Sequence, residues 1–300
     1  MRKMRLILIF VTAVMLILTA MSCKKTTEPD AEVPAGMVFI KGGTFTMGDT
    51  RNADNEYETP HKVTLSSFYI GKYEVTQAEY SKYMQPQIEW SERFGFGNEY
   101  PAYYVCWYEA IKYCNLRSID EGLTPCYTIK GSTNPADWGE MPTGWEDPQM
   151  PIWDGALCNW KANGYRLPTG AEWEYAARGA TNTPDYLYSG SNNIGEVAWY
   201  YENSNGSSHR VGTKAANGIG IYDMSGNIKE WCWDWEDFEP YGSDPQTNPT
   251  GPEWGPLRLQ RGGDWEYDGV GPEYCDIIRR HGDHPQDGRF ISGFRVCRTK

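Results

Sequence analysis

Three hundred residues, 40% hydrophobic and 23% charged, are enough for one large domain or two small ones. A formal net charge of −12 argues against a nucleic-acid partner and against direct adsorption to anionic lipid. With 32 Gly and 19 Pro the chain exceeds the usual combined share of about 12%, and 13 Trp with 21 Tyr imply many loops held by aromatic packing.

The first 22 residues read as an export signal. Arg2, Lys3 and Arg5 make a basic start, and the apolar run from Leu6 to Leu18 is broken only by Thr12. That run is too short for a spanning helix, which needs about 20 residues. Ala20-Met21-Ser22-Cys23 then resembles a bacterial lipobox, so cleavage before Cys23 and lipidation of its sulfur are expected. Residues 23–35 form a polar tether. Loss of residues 1–22 removes three positive charges and no negative one, which takes the net charge from −12 to −15. These features predict a chain anchored by lipid at the bacterial outer membrane or cell surface. Eight cysteines in an exported protein suggest disulfides, and with Cys23 acylated an odd seven remain.

Residues 36–300 contain no second linker and no internal repeat, so they read as one domain. Residues 36–48 (GMVFIKGGTFTMG) place apolar residues either side of Gly42-Gly43 and predict a hairpin. Residues 61–75 continue as strand. Thr76 to Glu79 matches a capping box and predicts a helix running to about Met84. A second helix is expected over 107–118, with Ala110, Ile111 and Cys114 on one face. Thr169 to Glu172 is another capping box; its helix turns Trp173 and Ala176 inward and stops at Gly179. Cys126 and Cys158 flank a Pro- and Trp-rich insertion that a disulfide between them could close. The remainder predicts short strands and long loops.

Residues 258–298 follow no period. Gly262-Gly263 allows close backbone approach, Trp265 and Phe294 are expected to pack, Arg280 and Arg295 to pin loops, and Pro285 to fix a turn. Between these fixed points stand Glu266, Tyr267, Asp268, Tyr274, Asp276, Ile278, His281, Asp283, His284, Asp287 and Phe290. Rigid aromatics mixed with adaptable polar groups are the vocabulary of a paratope, and these residues are the predicted ligand-binding set. His281, Asp283, His284 and Asp287 could instead ligate a metal, but their spacing off a helix constrains no geometry, and a plain loop is the stronger reading of the two. No nucleophile-elbow motif and no phosphate loop is present.

GMVFIKGGTFTMG, YEVTQAEY, YRLPTGAEWEYAARG, GIYDMSGNIKEW and RGGDW…GFRVCR, in that order, resemble the successive signatures of the formylglycine-generating-enzyme (sulfatase-modifying factor) domain. The resemblance spans nearly all of the mature chain and implies an α+β, loop-rich variant of the C-type lectin fold. It implies a disulfide between Cys114 and Cys297, and a structural calcium held by Asp223, the carbonyls of Gly226 and Ile228, and Glu230, a hard-oxygen set that suits Ca²⁺. The alternative for that stretch is a tight turn with Glu230 hydrogen-bonded to backbone. The family's oxidases hold copper between two cysteines. Here Tyr267 stands at the first position, and Cys275 lies three residues too far on for the second. A phenol cannot replace a thiolate for Cu(I), so no copper is expected.

Arg258, Arg261-Gly262-Gly263, Trp265, Cys275, Arg280, Pro285 and Gly293-Phe294-Arg295 also match, in order, the fixed frame of a second branch of this fold, the variable proteins of diversity-generating retroelements, treponemal lipoproteins among them. The Arg often found three residues after the Pro is displaced, with Gly288 there and Arg289 next. This resemblance implies a monomeric, non-enzymatic surface lipoprotein that meets the membrane only through its lipid and binds a macromolecular ligand, a protein rather than a sugar. Two alternatives stay open: an oxidase with a rearranged copper site, and a structural lipoprotein of an envelope assembly.

Overall fold

The computed structural model describes residues 32–52, 55, 57–144, 146–181, 184–239, 242–266 and 271–300. The export signal, Cys23 and most of the tether, as well as Tyr267 and Asp268, lie outside the described residues.

Strands β1 (Met37–Ile40) and β2 (Gly43–Met47) do not form the expected hairpin. β1 pairs antiparallel with β4 (Phe68–Gly71), whereas β2 pairs with β3 (His61–Leu65). The chain therefore crosses from one sheet to another at the glycine pair. Gly42 makes that crossing possible, because a Cβ there would stand 2.5 Å from the Leu65 carbonyl oxygen.

Two helices start where the sequence places caps, and a third starts at its expected residue on a cap the sequence did not mark. Helix α1 (Gln77–Tyr80) and helix α4 (Gly170–Ala177) open on complete capping boxes, Thr76 with Glu79 and Thr169 with Glu172. Helix α2 (Trp107–Asp120) uses Cys106 as its N-cap, with Glu109 accepting the Cys106 N–H at 2.9 Å. α1 itself is shorter than expected, but turn bonds continue past it, from Ser81 N–H to the Gln77 carbonyl at 3.0 Å through Met84 N–H to the Tyr80 carbonyl at 2.9 Å. α3 (Met150–Asp154) and α5 (Ile194–Val197) are single short segments.

The remaining strands are β5 (Tyr127–Thr128), β6 (Leu157–Cys158), β7 (Tyr165–Arg166), β8 (Lys229–Glu236), β9 (Gln246–Thr247), β10 (Leu257–Arg261), β11 (His281–Asp283), β12 (Ser292–Gly293) and β13 (Cys297–Thr299). They build sheets ordered β1-β4-β13-β7, β11-β10-β8-β12, β2-β3-β9 and β5-β6. Short helices and short strands joined by long loops make this an α+β, loop-rich fold.

Aromatic residues fill the core. Around α2, Trp107, Tyr108 and Tyr113 pack with Tyr80, Trp153 and Phe294. A second cluster joins Ile70, Trp173 and Ala176 to Ile277 and Ile278. Trp173, Ala176 and Phe294 are buried, as the sequence predicts. Cys114 and Cys297 are both buried as free thiols, not as the disulfide the family resemblance implies, and Cys126 and Cys158 are free as well. Burial, first of all, raises the pKa of each of the four.

Candidate functional site

Four arginines, three of them buried and Arg280 half-buried, fix the frame of the C-terminal segment. Arg258 is sandwiched between Trp107 and Trp235, with ring centroids 3.7 and 3.5 Å from the guanidinium, and burial lowers its pKa to about 9. Arg261 pairs with Glu174 and donates to the Ile278 and Arg279 carbonyls at 2.6 and 2.8 Å. Arg280 reaches Glu58 and Glu236, both at 3.3 Å. Arg295 grips Glu230 through two bonds of 2.6 Å and also donates to the Gly71 and Tyr222 carbonyls. The expected loop-pinning roles of Arg280 and Arg295 are seen directly.

Gly263 has φ +70, and a Cβ on it would lie 2.6 Å from the Tyr274 carbonyl oxygen, so the close approach read from the glycine pair is real. Trp265 follows, only 4% exposed, against Phe94 and Phe290. Pro285 is buried and accepts the Trp107 N–H at 3.0 Å, which locks the segment onto the start of α2.

The predicted ligand-binding residues divide. Ile278, His281 and Asp283 are buried, contrary to expectation. Ile278 belongs to the Trp173 core. His281 and Asp283 lie in β11, whose pairing with β10 turns them inward. Burial drives the His281 pKa well below the usual imidazole range, so the ring is neutral; it sits against Tyr274, centroids 4.2 Å apart. Asp283 forms an ion pair with Arg289. Asp276 is half-buried and tied to Arg51 at 2.7 Å. Glu266, Tyr274, His284, Asp287 and Phe290 are half-buried and keep part of their surface open to solvent.

Phe290 does not stand alone. Its ring stacks on Phe94, centroids 4.8 Å apart and planes 13° from parallel, with Tyr104 edge-on at 6.3 Å. Phe94 and Tyr104 come from a loop far upstream, and sequence reasoning missed both. Phe94 stands in an aperiodic Gly- and aromatic-rich stretch (SERFGFGNEY) that carries no positional signal.

The calcium set does not fit as read. Both Glu230 oxygens accept from Arg295, and Trp173 Nε1 adds a third bond at 2.7 Å. Asp223 accepts from the Gly212 N–H at 2.6 Å. A guanidinium already supplies the positive charge that a metal would bring. Among the described residues no three His, Cys, Asp or Glu side chains are grouped to hold a metal ion, including those around His281 and His284. What the sequence did not reveal is Glu74, fully enclosed beside Asp223 and Glu230. Burial, and then those two carboxylates, raise its pKa well above the ordinary value, and Asp223 is pushed to about 6.

Cys275 is 2% exposed, packed with Tyr188 and Val197, its thiol 3.8 Å from the Asp264 carbonyl. The position of the missing first thiol, Tyr267, lies outside the described residues.

The sulfatase-modifying factor enzyme 1-like domain matches residues 24–300. Among curated proteins, the chain is 40% identical over 261 residues to a protein named chaperone protein LppX from Paenibacillus barcinonensis, covering 80% of this chain and 82% of that one. It is 28% identical to the formylglycine-generating enzyme of Streptomyces coelicolor, covering 87% and 88%. Among solved structures, Treponema denticola variable protein 1 superposes with a TM-score of 0.75 and 34% identity, covering 88% of this chain and 95% of that one.

Proposed function

We propose that this chain, which belongs to the sulfatase-modifying factor enzyme 1-like family, is a non-catalytic bacterial envelope lipoprotein that binds a protein ligand through the face around Phe290. Lipid on Cys23 anchors it, and the polar tether holds the domain away from the bilayer. The observation that carries this reading is the half-exposed Phe94–Phe290 stack set on a frame of buried arginines. A rigid aromatic on a fixed scaffold is what a binding anchor needs, because little entropy is lost when it docks. Its likeness to a treponemal variable protein points the same way.

The oxidase alternative asks for two thiolates open to copper and substrate. Tyr267 at the first position and the enclosure of Cys275 argue against it. Nothing comparable favours a purely structural role.

Photo-crosslinking on intact cells tests the proposal. A benzophenone amino acid at Phe290 should give a discrete crosslinked protein band, whereas the same group at Trp254, 72% exposed elsewhere on the chain, should not. Equal crosslinking at both positions, or none at Phe290, would remove the reading. Purified protein supplied with Cu(I), oxygen and a sulfatase-motif peptide should leave the peptide cysteine intact.

A further inference from the structure

Beside the Phe290 face lies a cavity of about 370 Å³ whose lining includes Ile88, Tyr104, Glu109, Gln286 and Asp287. Its walls are fixed by backbone. Tyr104 N–H donates to the Arg289 carbonyl at 2.9 Å, and Trp107 N–H to the Pro285 carbonyl at 3.0 Å. Gly288 lets the two segments touch, since a Cβ there would stand 2.5 Å from the Tyr104 carbonyl oxygen. The backbone walls of the cavity are therefore in place before any ligand arrives.

Most of its charged groups are already engaged. Glu109 accepts from the Cys106 N–H at 2.9 Å and from the Tyr80 hydroxyl at 3.2 Å, and burial raises its pKa. Arg289 is paired with Asp283. Asp287 is only half-buried. Gln286 differs from them: both its Nε2 and its Oε1 are closed to solvent and have no hydrogen-bond partner. A buried amide left unpaired forgoes the hydrogen bonds it made to water, so it is stabilised by any partner that offers one donor and one acceptor side by side. Trp265 Nε1, in the neighbouring aromatic face, is a second buried donor without a partner.

We infer that this cavity is a subsite for an amide group of the protein ligand, either a backbone peptide or an Asn or Gln side chain, paired in both directions with the Gln286 carboxamide. Rotation about the Gln286 side-chain torsions presents the amide to the cavity, and the exposed Ile88 at the rim covers the apolar part of the incoming group. The inference rests on the binding-face reading for its ligand class but not for its geometry.

The test is a titration of the full-length chain in detergent micelles, labelled with ¹⁵N-glutamine, the Gln286 side-chain signal being assigned by its absence from Gln286→Met. N-methylacetamide stands for a peptide and propionamide for a side-chain amide; methyl propionate, which lacks the donor, is the control. At least one amide should move the Gln286 signal saturably, and whichever binds tighter names the source. The ester should bind about tenfold more weakly, the equivalent of one hydrogen bond. The Ile88 backbone shift, followed with ¹⁵N-isoleucine, should respond to amide in the wild type and in Phe290→Ala but not in Gln286→Met. A flat titration, an ester as good as the amides, or an unchanged Ile88 response in Gln286→Met overturns the subsite. Since no protein ligand is used, none of these outcomes depends on crosslinking at Phe290. Should Gln286→Met fold poorly, Gln286→Glu, which keeps the length and loses the donor, serves the same comparison.

Discussion

Arg295 holds both oxygens of Glu230 at 2.6 Å, and neither side chain is reached by solvent. The pair ties β8 to the approach of β13, so it joins the β11-β10-β8-β12 sheet to the β1-β4-β13-β7 sheet. Removing one partner of such a pair strands a buried charge, which costs about 3–5 kcal/mol. Arg295→Met should lose that much in urea denaturation, and Arg295→Met with Glu230→Gln should recover part of it. A single variant within about 0.5 kcal/mol of wild type, the range of ordinary surface changes, would show that the pair does not hold the sheets together.

The same pair bears on calcium binding, because Arg295 occupies both oxygens of Glu230. With the guanidinium in place, the melting temperature should be equal in chelator and in excess calcium. A bound ion at a hundredfold over its Kd would add about 2.7 kcal/mol. A calcium-dependent rise that Asp223→Ala abolishes would reinstate the ion.

Glu74 makes stability depend on pH. Its folded pKa lies above the ordinary 4.5, raised by burial and by Asp223 and Glu230. Above that ordinary value the unfolded chain releases a proton that the folded chain keeps. The contribution is therefore fully present at lower pH and lost as pH rises toward the folded pKa. In Glu74→Gln this loss disappears. Glu74 accepts from Asn227 Nδ2 at 2.7 Å and from the Ile228 N–H at 3.2 Å, and the amide keeps only one acceptor, a cost that does not vary with pH. The stability of Glu74→Gln relative to wild type should thus climb from pH 4.5 to 8. A flat difference across that range would mean that folding does not raise the pKa of Glu74.

How much of this was legible in advance depended on the distance over which each signal acts. The capping boxes at Thr76 and Thr169 are complete within four residues, and both helices begin there. The arginine and glycine frame was readable because each residue makes an obligatory contact wherever it falls. The Gly42-Gly43 pair misled, since a turn and a crossing between sheets look alike until the partner strands are known. His281 was unreadable for a related reason: β11 has three residues, too few to show an alternation, so nothing local marks which side chains face inward; Ile278 stands in a turn before that strand, where there is no period at all. Glu74 gave no signal because its charged neighbours, Asp223 and Glu230, lie some 150 positions away.

Burial now separates the predicted face into two groups with different responses. Ile278→Ala removes a core side chain and should cost about 2–5 kcal/mol. His284→Ala, half-buried with no core role, should stay within about 0.5 kcal/mol. Matching losses at the two positions would return Ile278 to the face or His284 to the core.

The Phe94–Phe290 stack connects fold to function, and a double-mutant cycle measures it. Trp265 underlies both rings, so Trp265→Ala should cost about 3–5 kcal/mol and report the floor of the site. Phe94→Ala and Phe290→Ala should each cost less, being half-exposed, and their coupling should fall near 0.5–1.5 kcal/mol, the worth of an aromatic pair beyond its buried area. Coupling in that range means that the upstream loop positions Phe290 for its ligand, and Phe94→Ala should then weaken crosslinking from position 290 although Phe94 lies outside the C-terminal segment. Zero coupling would mean that the two rings only share a surface, and the upstream loop would have no part in binding.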